Sequence, residues 1–437
     1  LQSFCSKKEN KEDIIGMKKS LRFVGVLLAA LLLAGVGITG AAEPVKLTFW
    51  GIQRPNETDS LGMCLINQIK AFEKTNPNIK IEYNYTENNA YKTKLQVAML
   101  GGVGPDILYN WGGETQTIYS REGMLFDLTR AVGKDYWGLS KGLFSNHTYQ
   151  GKIYGIPFYP TVNTVWYNKI MFAEYGLTPP KTWPELLTVC EKLKSKGIIP
   201  FTVGGKDSWT ILHAFMYMAD RAAGAKLYQD AKAGRVRFDN PAFVKAFAML
   251  ETLVKKGYYP PDALNLSYGD ASQLMMKDKA AMMAMGNWHF TVITNESKTD
   301  LDKWDFFTYP VLEGGKGDAN SILGAADGYS INKSCKNPEA AIKLLKFLVN
   351  KENSAERFKK SSTLASLGTP YMDDSALPQM RKTANLLANA TSLTLWWDQD
   401  LSAAMSQALL QGLQEILAGA KTPKQVATAF EEARKQK

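Results

Sequence analysis

From Val45 to Tyr109 the chain switches repeatedly between a two-residue and a 3.6-residue hydrophobic period, and that alternation constrains its fold more than any other feature. Val45, Leu47 and Phe49 alternate with Lys46, Thr48 and Trp50, which predicts a first strand. Leu61, Leu65, Ile69 and Phe72 recur at helical spacing behind Asp59 or Ser60 as N-cap, and Asn76-Pro77-Asn78 ends that helix. Ile79, Ile81, Tyr83 and Tyr85 alternate again. Tyr91, Leu95, Ala98 and Met99 form the next helix, stopped at Gly101-Gly102, and Ile107-Leu108-Tyr109 is a third short strand. This β-α-β-α-β order predicts an α/β lobe on a mostly parallel sheet.

A second lobe is expected after Gly155-Ile156-Pro157. Val162 to Tyr167 reads as a strand. Thr182-Trp183-Pro184-Glu185 reads as a capping box opening a helix that carries Cys190 as a buried thiol. A strand over 198–203 follows, then helices near 209–223, 241–256 and 270–278. Ala280 to Met285 and Gly328 to Ile331 read as strands, Leu312 to Gly317 as a Gly-rich surface turn, and Asn337-Pro338-Glu339 as a helix start. The last eighty residues are mainly helical, interrupted near Trp396-Trp397.

The 437 residues suffice for two or three domains at about 150 residues each. Met17-Lys18-Lys19-Ser20-Leu21-Arg22, the apolar run Phe23 to Ile38 and Gly40-Ala41-Ala42 have the layout of a secretory signal, with cleavage expected after Ala42. As a helix that run spans about 24 Å, short of a hydrocarbon core of about 30 Å. No Cys follows it, so a lipid anchor is not expected, and the mature protein is expected to be free outside the cytoplasm. Residues 1–16 read as an over-extended gene start or an added leader. The net charge of +10 is scattered in short Lys pairs, not the stripe nucleic acid needs. Four dispersed Cys and three dispersed His give neither a disulfide framework nor metal-site spacing.

Catalytic signatures are missing. There is no G-x-S-x-G, no H-E-x-x-H and no Walker A sequence. Gly101 to Gly104 follows a helix, which excludes a dinucleotide fingerprint. Asp398 and Asp400 could serve a glycosidase, but two nearby acids among 42 are unremarkable and charged surface is the better reading. The chain does place aromatic and polar side chains together at strand ends, where α/β sheets bind ligands. Trp50 precedes Gln53 and Arg54; Asn110, Trp111 and Glu114 follow the third strand; Tyr159 and Thr161 lie at the lobe boundary; Trp209, Trp288, Asp327, Trp396 and Trp397 complete the set. An indole face can stack on the C–H face of a pyranose while neighbouring carboxylates and amides bond its hydroxyls.

The ordered segments Leu47 to Trp50, Gln96 to Gly102, Gly104 to Ile107, Gly123 to Thr129, Tyr149 to Pro157, Trp166 to Lys169, Pro179 to Leu186, Ala280-Ala281-Met282 and Gly286-Asn287-Trp288 span nearly the whole mature chain. Together they resemble extracellular solute-binding proteins of family 1, the maltose-binding-protein-like sugar receptors of ABC importers. The resemblance implies an α/β, type II periplasmic-binding-protein fold, with two lobes joined by a multi-strand hinge and a ligand cleft between them. It implies a leader and signal over 1–42, one lobe of 43–160 with 327–366, and the other of 161–326 with 367–437, with crossings near 159–161, 325–328 and 365–369. It implies a periplasmic monomer that is not an enzyme, needs no cofactor or metal, closes on a di- or oligosaccharide and delivers it to membrane permease subunits. Trp288 and Trp396 or Trp397 fall at the family's stacking positions, and Thr161 stands where maltose-binding members carry a carboxylate. Asp106, the segment Tyr167 to Lys169 and Trp183 are expected to be structural. The same fold binding a glycerol phosphoester or a polyamine is the alternative, and a secreted enzyme or adhesin a more distant one.

Overall fold

In the computed structural model, which describes residues 43–56, 59–296, 301–367 and 376–435, the alternating periods become alternating elements. The expected leader and signal, and the part of the third crossing beyond residue 367, lie outside the described residues. β1 (Val45–Gly51), α1 (Ser60–Thr75), β2 (Ile79–Tyr85), α2 (Asn88–Leu100) and β3 (Ile107–Asn110) follow in order. Asp59 is the cap of α1, its Oδ1 accepting from Gly62 N at 2.9 Å, and Leu65, Ile69 and Phe72 are the buried stripe. β1 and β3 pair in parallel, Phe49 opposite Ile107. Asp106 fastens them, its Oδ2 accepting from N and Oγ1 of Thr48, both at 2.9 Å.

The chain continues through α3 (Gly113–Arg121), the hairpin β4 (Thr148–Tyr149) and β5 (Lys152–Ile153), β6 (Ile156–Asn168), α4 (Trp183–Ser195), β7 (Ile199–Phe201), α5 (Trp209–Lys232), α6 (Pro241–Lys255), α7 (Tyr268–Met276) and β8 (Ala280–Gly286). Then come β9 (Trp304–Phe307), β10 (Ser321–Ile331), α8 (Pro338–Leu348), α9 (Lys351–Ser361), α10 (Pro378–Ala388), β11 (Ser392–Thr394), α11 (Ala403–Leu417) and α12 (Pro423–Ala433). The main sheet runs β2-β1-β3-β10-β6-β8-β7, with β11 on β10 and β9 on β6. It is mixed: β1 and β3 keep the parallel pairing expected of the first unit, but the sheet as a whole does not. β10 lies antiparallel to both β3 and β6, and β6 antiparallel to β8 and β9.

β10 and β6 lie side by side in the middle of the main sheet. All thirteen residues of β6 are buried, yet the sequence marks only its second half as strand. Pro157, Pro160 and Thr161 break the apolar run that would have announced the rest. Pro157 is tolerated because the β6–β10 register shifts between Asp327 and Gly328, the latter its partner. β6 pairs with β10 up to Val162, then with β8 from Asn163.

α5, α6, α11 and α12 share one apolar cluster, in which Phe247, Leu250, Leu409, Leu413 and Phe430 are fully buried. Cys190 is buried there too. Trp183 packs half-buried against the same cluster. Thr182 caps α4, but the box is half made: Glu185 Oε2 accepts from Lys181 N at 2.7 Å. The Gly-rich turn docks on α5; a Cβ at Gly317 would come within 2.1 Å of Asp220 O, so only glycine fits.

Candidate functional site

The strand ends and helix starts of both halves converge on a cavity of about 850 Å³. The turn after β1 brings Gln53 and Arg54, α2 brings Asn89 and Lys92, and β3 brings Tyr109 and Trp111. The crossing strands contribute Tyr159 and Asp327. From the other half come Trp209 and His213 on α5, Tyr268, Trp288, and the stretch Trp396, Asp398 and Gln399.

Three tryptophans form a wall. Trp288 meets Trp396 edge-on at 5.7 Å and Trp209 at 6.3 Å between ring centres. The His213 ring touches all three, at 4.9 Å from Trp396, 5.2 Å from Trp288 and 5.6 Å from Trp209. Trp209 and Trp288 are half-buried, which leaves ring surface for a ligand. Trp111, also half-buried, lies edge-on to Tyr109 at 5.1 Å and carries Lys92 Nζ over its ring at 5.2 Å. Lys92 bonds Asp398 Oδ2 at 2.9 Å, and Asn89 Nδ2 donates to Asp207 Oδ1 at 2.9 Å.

Several buried polar atoms of the cavity residues carry no hydrogen bond to the described residues: Asp327 Oδ1, Tyr159 OH and His213 Nδ1. Unpaired buried polar groups are costly, so they mark where a ligand can bond. Burial holds the His213 imidazole down to about 4, so it is neutral at ordinary pH. Burial raises the Asp327 carboxyl to about 7, against the opposing pull of the Tyr109 hydroxyl and Lys92. Asp59, Glu87, Asp207, Asp327 and Asp398 outnumber Arg54, Lys92 and Lys206 in the lining. No cluster of metal-ligating side chains occurs among the described residues, and no helix there is long and apolar enough to cross a membrane.

Of the residues singled out from sequence, Gln53, Arg54, Trp111, Tyr159, Trp209, Trp288, Asp327 and Trp396 line this cavity. Five do not. Trp50 ends β1 with its ring under Lys94 Nζ at 4.1 Å. Asn110 is buried at the end of β3, its Nδ2 donating to Ser330 Oγ and its Oδ1 accepting from Gly112 N, and lines a smaller space of about 140 Å³ next door. Glu114 turns to Arg121 at 3.4 Å. Thr161 is buried and donates to Ala325 O at 3.1 Å. Trp397 is in the core, stacked on Tyr228 at 4.4 Å and 15°. Its adjacency to Trp396 in sequence conceals this, because consecutive residues point apart. Sequence reasoning passed over Lys92, Tyr109, His213 and Tyr268. His213 had a signal, four residues after Trp209 on one helix face.

The model of the family described as bacterial extracellular solute-binding protein matches residues 65–355. A Pyrococcus horikoshii protein described as the uncharacterised ABC transporter extracellular-binding protein PH1039 is 27% identical over 386 residues, covering 85% of this chain and 87% of that one. A multiple sugar-binding protein of Streptococcus mutans is 26% identical over 344 residues, covering 76% and 78%. Among solved structures, a chitin oligosaccharide binding protein superposes with a TM-score of 0.84 at 26% identity, covering 90% of this chain and 98% of that one.

Proposed function

Because the chain belongs to the family of bacterial extracellular solute-binding proteins, we propose that it is the receptor of an ABC importer and that its ligand is a neutral di- or oligosaccharide. The observation that carries this is the pairing of an indole wall with hydrogen-bonding side chains around one cavity. A pyranose has an apolar C–H face and a rim of hydroxyls, and the cavity offers a surface for each. A volume of about 850 Å³ lies toward the upper end of the ~300–1,000 Å³ usual for ligand sites, which favours more than one sugar ring. The similarity to the streptococcal sugar-binding protein and the chitin oligosaccharide binding protein supports the same reading.

The lobes divide as 43–160 with 327–366 and 161–326 with 367–437. Ligand touching both walls has differential affinity for the shut form, and closure on β6 and β10 follows from that difference. The shut monomer then docks on membrane permease subunits from the periplasmic side, without chemical turnover and without a lipid anchor. A phosphoester fits less well. Carboxylates outnumber cations in the lining, and the Arg54 guanidinium is held by Tyr85 OH at 3.1 Å.

A thermal-shift screen of residues 43–437 tests the reading, since a ligand bound only by the folded state raises the melting temperature. Neutral oligosaccharides are expected to raise it. A shift from sn-glycerol 3-phosphate or spermidine alone would overturn the sugar assignment.

A further inference from the structure

Asp327 on β10 and Tyr159 on β6 are direct cross-strand partners, and the pairing of the two strands shifts register at the next step. Such irregularities redirect side chains and recur beside functional sites. Both residues line the cavity, at 7% and 3% exposure. Tyr109 OH donates to Asp327 Oδ2 at 2.6 Å, while Asp327 Oδ1 and Tyr159 OH bond nothing among the described residues.

The other cavity carboxylates all accept hydrogen bonds, Asp59 and Asp207 through both oxygens, Glu87 and Asp398 through one, and none of them has a buried oxygen without a partner. Asp59 accepts from Gly62 N and Arg54 N, and Glu87 Oε2 from Asn89 N and Ala90 N. Asp207 accepts from Asn89 Nδ2 and Tyr268 N, and Asp398 from Lys92 Nζ and Gln399 Nε2. Among the described residues, Asp327 is the cavity carboxylate with a buried oxygen to spare.

Resting on the sugar-receptor reading, we propose that Asp327 and Tyr159 form a donor-reading pair: a ligand must give Asp327 Oδ1 a neutral hydroxyl or N–H donor beside a group that bonds the Tyr159 hydroxyl, and anions are refused. Refusal follows from Coulomb repulsion between a buried carboxylate and an anion where water cannot screen them.

Proton release on binding is a second consequence. The titratable and charged groups facing Asp327 are Tyr109 on β3, Lys92 on α2, Tyr159 on β6 and Tyr329 on its own strand. His147, whose Nε2 meets Ala326 O at 2.7 Å, is kept neutral by burial. The Asp327 acid is raised to about 7, so near neutrality part of the population is protonated. A donated hydroxyl bonds the ionised form more strongly than the acid. Capture therefore expels the proton, and affinity rises with pH between 6 and 8.

The test is titration calorimetry of the mature chain with xylobiose, diacetylchitobiose, raffinose and sn-glycerol 3-phosphate. It is run at pH 6 and pH 8, in buffers of low and high ionisation heat. A sugar that binds is expected to bind up to about tenfold tighter at pH 8 and to release a proton fraction. Asp327→Asn is expected to lose about tenfold or more at pH 8, together with the pH dependence and the proton release. Tyr159→Phe should lose severalfold and keep both. Should Asp327→Asn not fold, proton release by the wild type and by Tyr159→Phe decides. Sugar binding indifferent to pH and unchanged in Asp327→Asn overturns the pair and leaves the sugar reading standing. Binding of the phosphoester alone, or of none of the four, overturns both.

Discussion

Lys92 Nζ lies 2.9 Å from Asp398 Oδ2 and so ties helix α2 to the stretch that carries Trp396. Under the proposed lobe division this bond crosses the cleft, as does Asn89 to Asp207. Lys92 is about one-third exposed and Asp398 mostly buried, so the pair is worth about 1 kcal/mol. Lys92→Met is expected to weaken sugar affinity about fivefold and to enlarge the ligand-free molecule in solution scattering. An unchanged radius of gyration with unchanged affinity would place the bond outside the closing motion.

The indoles Trp288 and Trp397 separate binding from folding. Trp288→Ala is expected to cut sugar affinity more than tenfold with a melting temperature shifted by only a few degrees, because its half-buried ring lines the cavity. Trp397→Ala removes a ring packed among Phe215, Tyr228 and Phe238 and should cost about 3–5 kcal/mol of stability. Calorimetry and chemical denaturation on both variants check the contrast. The reverse pattern would exchange their roles.

Asp327 makes the free protein's stability depend on pH in a stated direction. Its folded acid lies near 7, above the usual value of about 4. The folded state then holds the proton more tightly than the unfolded chain. That contribution is complete below about pH 4 and is lost as pH rises toward 7. Relative to Asp327→Asn, the wild type should lose stability over that window and stay level above it. Denaturation curves at half-unit steps read the difference, and a difference rising with pH would contradict it.

His147, His213 and His289 act in the opposite sense. Burial lowers them to about 4, about 4 and about 3. An unfolded histidine binds its proton near 6.5, so each costs stability as pH falls below that value, by about 1.4 kcal/mol per unit. Three histidines outweigh the single Asp327, and the midpoint of urea unfolding should fall steeply from pH 6.5 to 4.5. A flat midpoint would mean that the imidazoles are accessible to water in the folded state.

The elements from Val45 to Asn110 were legible because each strand and helix keeps one clean period. Phe49, Leu65, Ile79 and Leu95 all occupy the buried positions their spacing announces. β6 and β10 were legible only in their later parts, 162–167 and 328–331, because the residues before them answer to neighbours far along the chain. Asp327 is opposite Tyr159, and only glycine fits at position 324 because a Cβ there would come within 2.2 Å of Thr161 O. The parallel pairing of β1 with β3 was read correctly, but the antiparallel entry of β10 beside β3 was not foreseen, for the same reason. In the site, aromatic residues at strand ends were good guides: Trp111, Trp209, Trp288 and Trp396 reach the cavity. Lys92 and Tyr109 were missed because one looks like helix surface and the other like strand core, and only the tertiary fold turns them to one place.

The central claim is that one cavity captures a neutral sugar and the molecule shuts on it. Small-angle scattering of the mature chain, without and with a saturating neutral oligosaccharide identified by the thermal screen, tests this directly. The account predicts a smaller radius of gyration with sugar and no such change for Trp288→Ala at the same concentration. A saturated complex as large as the free protein would contradict it.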